Sequence, residues 1–184
     1  MGSQVSGYAT RFGDIIRVGN DFRERIAPGA FRRTLVDNPD VVMVLDHDPG
    51  RVLGRVSAGT LTLREDSIGL WFCCEIDPST PEGQTAIGTV GRRDVKGCSF
   101  GFSVRKESWQ DDGDSLPLRT IEDVDLYEVT LTAFPAYEST SASLSHSSSR
   151  AAAKSTVSTS APAATLSYYR CKAAMEHRLR GISV

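Results

Sequence analysis

Three side chains in this sequence have the types that proton transfer and nucleophilic attack require, and they stand far apart in the chain. His47 lies in Asp46-His47-Asp48-Pro49, where an apolar run gives way to a turn; imidazole titrates near neutrality and is the usual general base. The other histidines, His146 and His177, fall in a serine- and alanine-rich tail. Ser99 lies in Gly97-Cys98-Ser99-Phe100-Gly101-Phe102-Ser103. Strand alternation puts Cys98, Phe100 and Phe102 on one apolar face and Ser99, Gly101 and Ser103 on the other. A face of small residues admits a second backbone, which would open the serine hydroxyl to an extended peptide; the same pattern fits a half-buried strand whose serines face water. Glu128 is a lone carboxylate within Asp125-Leu126-Tyr127-Glu128-Val129-Thr130-Leu131-Thr132. Alternation predicts Tyr127, Val129 and Leu131 on one face and Leu126, Glu128, Thr130 and Thr132 on the other. A carboxylate there can hold an imidazole in one tautomer, or can simply be solvated.

Other chemistries find less support. Asp46, His47 and Asp48 are adjacent and cannot readily converge on one ion, and the body has no second histidine, so no metal site is expected. The cluster Asp111-Asp112-Gly113-Asp114 lacks calcium-loop spacing and reads as a turn. No phosphate-binding glycine loop occurs. Cys73, Cys74, Cys98 and Cys171 have no metal or redox spacing and read as free thiols in a reducing compartment. Charge is uneven: beyond Ser139 the basic residues Arg150, Lys154, Arg170, Lys172, Arg178 and Arg180 face only Glu176. The body is therefore acidic, which argues against a nucleic-acid surface. No membrane-length apolar run is present.

The elements that must position these groups are mostly strands. Ser6 to Val18 reads as a strand pair turning at Gly13-Asp14, and Ala30 to Val36 as a short helix after Pro28-Gly29. Val41 to Leu45 are apolar without alternation, a buried strand that delivers His47. A meander is predicted over Arg55-Val56, Thr60 to Leu63 and Ile68 to Ile76, then a helix from a Ser79/Glu82 capping box to about Val90. Strands follow over Val95 to Val104, Leu118 to Asp123 and Leu126 to Phe134, with Pro135 closing the body. The fold class predicted is α+β, mainly antiparallel β. Residues 1–140 form the domain and 141–165 a disordered Ser/Thr/Ala-rich linker, since ten of the 22 residues from Ser139 to Ser160 are serine. Residues 166–184 form a basic amphipathic helix with Tyr168, Cys171, Met175, Leu179 and Ile182 on one face.

The order and flanks of these segments carry a resemblance. Arg25-Ile26-Ala27-Pro28-Gly29-Ala30-Phe31, Leu45-Asp46-His47-Asp48-Pro49 with Leu53-Gly54-Arg55-Val56, Gly97-Cys98-Ser99-Phe100-Gly101-Phe102, and Leu126-Tyr127-Glu128-Val129-Thr130-Leu131 with Phe134-Pro135-Ala136 resemble the prohead proteases of tailed bacteriophages. That family is related to the herpesvirus maturation protease, assemblin. The resemblance implies a β-barrel surrounded by a few helices. It implies a serine endopeptidase with His47 as general base, Ser99 as nucleophile and Glu128 as third member, and it requires no cofactor. Gly101 and Ser103 would leave room for a substrate strand. The substrates implied are the major capsid protein and the scaffold domain, with self-cleavage and a possible homo-oligomer, inside the assembling procapsid in the host cytoplasm. Two departures stand out: Asp46 replaces a frequent asparagine, and Ala133-Phe134-Pro135-Ala136-Tyr137 lacks the arginine pair that serves the herpesvirus oxyanion hole. The alternative is a catalytically inactive capsid-assembly module on the same fold.

Overall fold

The computed structural model describes residues 2–37, 40–111, 113 and 116–146. Ten strands and two helices follow in order: β1 (Ser3–Arg11), β2 (Ile16–Val18), β3 (Phe22–Ile26), α1 (Arg32–Asp37), β4 (Val42–Leu45), β5 (Asp48–Arg55), β6 (Leu61–Glu65), β7 (Gly69–Ile76), α2 (Pro81–Gly91), β8 (Gly97–Gln110), β9 (Leu118–Thr132) and β10 (Ser143–His146). They form two sheets. One has the order β10-β1-β7-β6; the other runs β2-β3-β9-β4-β5, with β8 along the opposite edge of β9. Both sheets bury apolar faces in one core, to which Val5, Phe72 and Leu70 contribute from the first sheet and Met43, Phe102 and Leu131 from the second. The expected α+β class with mainly antiparallel pairing holds. The pairing does not close into the expected barrel; it stays as two sheets.

The organising strand is β9. It pairs antiparallel with β8 along almost its whole length. Its other edge is shared: Leu118–Ile121 runs parallel with β3 and Glu128–Leu131 runs parallel with β4. Parallel neighbours require a crossover rather than a hairpin, which local alternation does not reveal. The strands expected separately over Leu118 to Asp123 and Leu126 to Phe134 are one continuous strand, running through the carboxylates of Asp123 and Asp125. Those carboxylates are bound by helix α1: Arg33 Nε donates to Asp123 Oδ2 at 2.8 Å, and Arg33 Nη2 donates to Asp125 Oδ1 at 2.7 Å.

Three other expectations change. The predicted strand pair over Ser6–Val18 does not form, because β1 pairs with β7 and β10 while β2 pairs with β3. Helix α2 is capped by Thr80, whose Oγ1 accepts from Gly83 N–H at 3.0 Å. Pro81 opens the helix and so moves the cap one residue beyond Ser79, which hydrogen-bonds Asp77 instead.

The body also continues past the boundary expected at 140. Tyr137 is buried and donates to Glu24 Oε1 at 3.2 Å; Thr140 Oγ1 accepts from Cys98 N–H at 3.2 Å. Ser141 N–H then donates to Tyr8 O at 3.0 Å, and β10 adds to the edge of β1. Ser141 crosses so close that a Cβ on Gly7 would lie 1.8 Å from its carbonyl oxygen. Residues 147–184, with the rest of the predicted linker, the predicted helix and His177, lie outside the described residues.

Candidate active site

The base candidate arrives on a hairpin. β4 and β5 pair through Leu45 and Asp48, leaving Asp46 and His47 as a two-residue loop with φ of 50° and 58°. A loop with both residues left-handed is a type I′ turn, whose twist suits a hairpin but which β-carbons disfavour. Asp46 tolerates this conformation better than most residues, and its N–H donates to Leu131 O at 3.1 Å. The His47 N–H turns inward and donates to Thr130 Oγ1 at 3.0 Å.

Glu128 reaches the same turn from β9, two residues before Thr130 and on the same face. Its Oε1 is hydrogen-bonded to His47 Nδ1, and the two side chains keep only 15% and 16% of their exposure. An ionised carboxylate accepts and does not donate, so the bond fixes the proton on Nδ1 and leaves the Nε2 lone pair available. That Nε2 is buried and has no partner among the described residues.

Ser99 comes from the other side of β9. Its register partner on β9 is Thr130, and that of Gly101 is Glu128. Directly opposed residues of an antiparallel pair point to the same face. Ser99, Gly101, Thr130 and Glu128 therefore share the face that His47 covers. Ser99 is 4% exposed, less accessible than an open serine face would be. No hydrogen bond joins its Oγ to another described residue, so the bond to His47 Nε2 is not made in this structure. The neighbouring Cys98 points into the core as predicted; burial, with Glu128 adding to it, drives its thiol pKa strongly upward. It is not a competing nucleophile at neutral pH.

The Cβ side of Gly101 is filled by the Glu128 side chain. A Cβ there would lie 2.8 Å from Glu128 Cγ and 2.9 Å from Oε1, so the glycine makes room for the Glu128 side chain. Ser103 Oγ accepts from Tyr127 O–H at 3.1 Å. Tyr127 itself corrects the alternation: a bulge pairs Gly101 with Glu128 and Phe102 with Leu126, leaving Tyr127 as the extra residue. Leu126 is thereby buried, while Tyr127 is half-exposed.

Two contributors escaped the sequence. Thr130 was placed on the right face but given no contact, and Thr140 fell within the segment expected to close the domain. The sequence signal for the first was a hydroxyl at i+2 from Glu128, on the face that alternation assigns to both. Among the described residues, no cluster of three or more His, Cys, Asp or Glu could hold a metal ion, and no helix is long and apolar enough to cross a membrane.

No curated protein matches the chain. Solved structures similar to the chain include two viral proteases. One is the protease of KSHV in complex with a hexapeptide phosphonate inhibitor: TM-score 0.47, 13% identity, 79% of this chain and 66% of that one. The other is the varicella-zoster virus protease: TM-score 0.44, 13% identity, 78% of this chain and 64% of that one. The chain thus spans just under two thirds of each of these proteases. A family model described as caudovirus prohead serine protease matches residues 1–155. The chain belongs to that family, the serine proteases of capsid maturation in tailed phages.

Proposed function

We propose that His47, Ser99 and Glu128 form the catalytic triad of an endopeptidase that cleaves capsid and scaffold proteins within the procapsid. The observation that carries this reading is the Glu128–His47 hydrogen bond, which leaves a buried, unpartnered Nε2 on the face shared by Ser99. Ser99 Oγ attacks the scissile carbonyl while His47 Nε2 takes its proton and then passes it to the leaving amine. Glu128 keeps the ring in the required tautomer and stabilises the imidazolium that forms. Water then repeats the sequence on the acyl-enzyme, releasing Ser99.

Ser99 Oγ and His47 Nε2 join their hydrogen bond when substrate docks; catalytic bonds commonly tighten in the Michaelis complex. The substrate lies as an extra strand along β8, which pairs only with β9 among the described residues. Gly101 serves this by keeping Glu128 in place, and Ser103 by holding Tyr127 beside the substrate path. The enzyme needs no cofactor for this chemistry. It also cleaves its own C-terminal tail, and a homo-oligomer is the form that works in the shell.

Co-expression of Ser99→Ala with the cognate major capsid protein tests the assignment on a gel. Uncleaved capsid protein is expected. Processing at the wild-type level removes Ser99 from the mechanism.

A further inference from the structure

We propose that Thr130 is a positioning residue for the reaction, holding the His47 backbone in the turn that aims the imidazole. The proposal rests on the triad reading and adds a residue that touches neither substrate nor reacting atoms. Thr130 is 0% exposed, and its hydroxyl is committed on both sides. It accepts from His47 N–H at 3.0 Å and donates to Val44 O at 3.2 Å. These two groups lie on either side of the Leu45-Asp46 dipeptide. One oxygen thus ties the last part of β4 to the base itself.

The tie matters because of the turn it closes. Asp46 and His47 both have positive φ, a conformation that a β-carbon disfavours and that persists only where surrounding contacts impose it. No glycine relieves this loop. On the backbone side, the loop is bonded to β9 through Asp46 N–H to Leu131 O and His47 N–H to Thr130 Oγ1. The first fixes where the loop begins; the second fixes the residue that carries the ring.

Thr130 also sits at the centre of the register. Its β9 position is paired with Val44 on one side and with Ser99 on the other. It therefore fixes His47 relative to the strand that carries Ser99. Its one proton goes to Val44 O, so it does not donate to Ser99 Oγ, which stays free for the imidazole.

Thr130→Val keeps the shape and β-branching of the side chain but removes the acceptor of His47 N–H and the hydroxyl donor to Val44 O. Displacements on the order of 1 Å at a reacting group cost about a hundredfold in rate. The expected result is a kcat fall of about that size with KM unchanged, and Thr130→Ser recovers most of the loss. A second measurement needs no substitution: the His47 amide of the wild-type protein should exchange its hydrogen slowly for a hairpin-loop position. Wild-type kcat in Thr130→Val, or a His47 amide exchanging at the rate of an unstructured peptide, overturns the proposal. Failure of the triad reading looks different: Ser99→Ala and His47→Ala would then keep turnover, whatever Thr130→Val does.

Discussion

Replacing Gly101 by alanine puts a methyl carbon 2.8 Å from Glu128 Cγ and 2.9 Å from its Oε1. Ordinary van der Waals contact begins near 3.4 Å, so the carboxylate group must move by about 0.5–0.6 Å to relieve the clash. It has no slack, because the same Oε1 is already at hydrogen-bond contact with His47 Nδ1. The bond that orients the base must therefore bend or lengthen. Scaled against about a hundredfold per 1 Å of misplacement, a shift of this size costs roughly tenfold in kcat with little change in KM. The assay is steady-state cleavage of a peptide spanning a processed capsid site, with Gly101→Ala measured alone and in a Glu128→Ala background. If the methyl acts through Glu128, it adds almost nothing once that side chain is gone, because contacting residues are non-additive. An unchanged kcat for Gly101→Ala, or an equal fall in both backgrounds, would refute the reasoning.

Other expectations follow from the same contacts. Gly7→Ala drives a methyl into the Ser141 carbonyl, 1.8 Å away; overpacking of this kind costs about 1–3 kcal/mol, read as a lower urea midpoint, and an unchanged midpoint would show that the segment before β10 is not packed there. Asp125 is held below its ordinary carboxyl value by Arg33, with Arg105 adding to it. A depressed folded pKa stabilises the protein above the unfolded value and loses that contribution as pH falls through the folded one. Asp125→Asn should therefore make the urea midpoint fall less steeply below about pH 4; the slope stays finite because Asp66, Glu107 and Glu122 are shifted the same way. Burial raises the Cys74 thiol to about 12 and drives Cys98 upward as well. Both should resist alkylation at neutral pH until denaturant is added, and native labelling of Cys98 at its unfolded rate would contradict its inward orientation.

The site was legible in the sequence at the level of faces and order, and less so at the level of contacts. Alternation gave the Cys98-Phe100-Phe102 face correctly because β8 runs without a break through Gly101. It failed at Tyr127, where one extra residue exchanges the faces of everything on one side of the bulge. The two-residue loop was recognisable as a turn, but its left-handed backbone at His47 was not, since nothing in the residue type asks for it. Pairing was the weakest inference. Alternation shows that Tyr8 and Thr10 belong to a strand but does not name the partner, and β1 finds its neighbours in β7 and β10 far along the chain. Serine content placed the tail boundary too early, because Ser141, Ser143 and Ser145 are held by backbone bonds that are indifferent to side-chain hydrophobicity.

The central claim is that Ser99 is a nucleophile made reactive by His47. Reaction of the folded protein with a fluorophosphonate, followed by peptide mapping, tests it directly. The account predicts a single adduct on Ser99, absent from Ser99→Ala and slowed strongly in His47→Ala. An adduct on another residue, or a folded protein that takes up none at all, would contradict it and favour an assembly module without turnover.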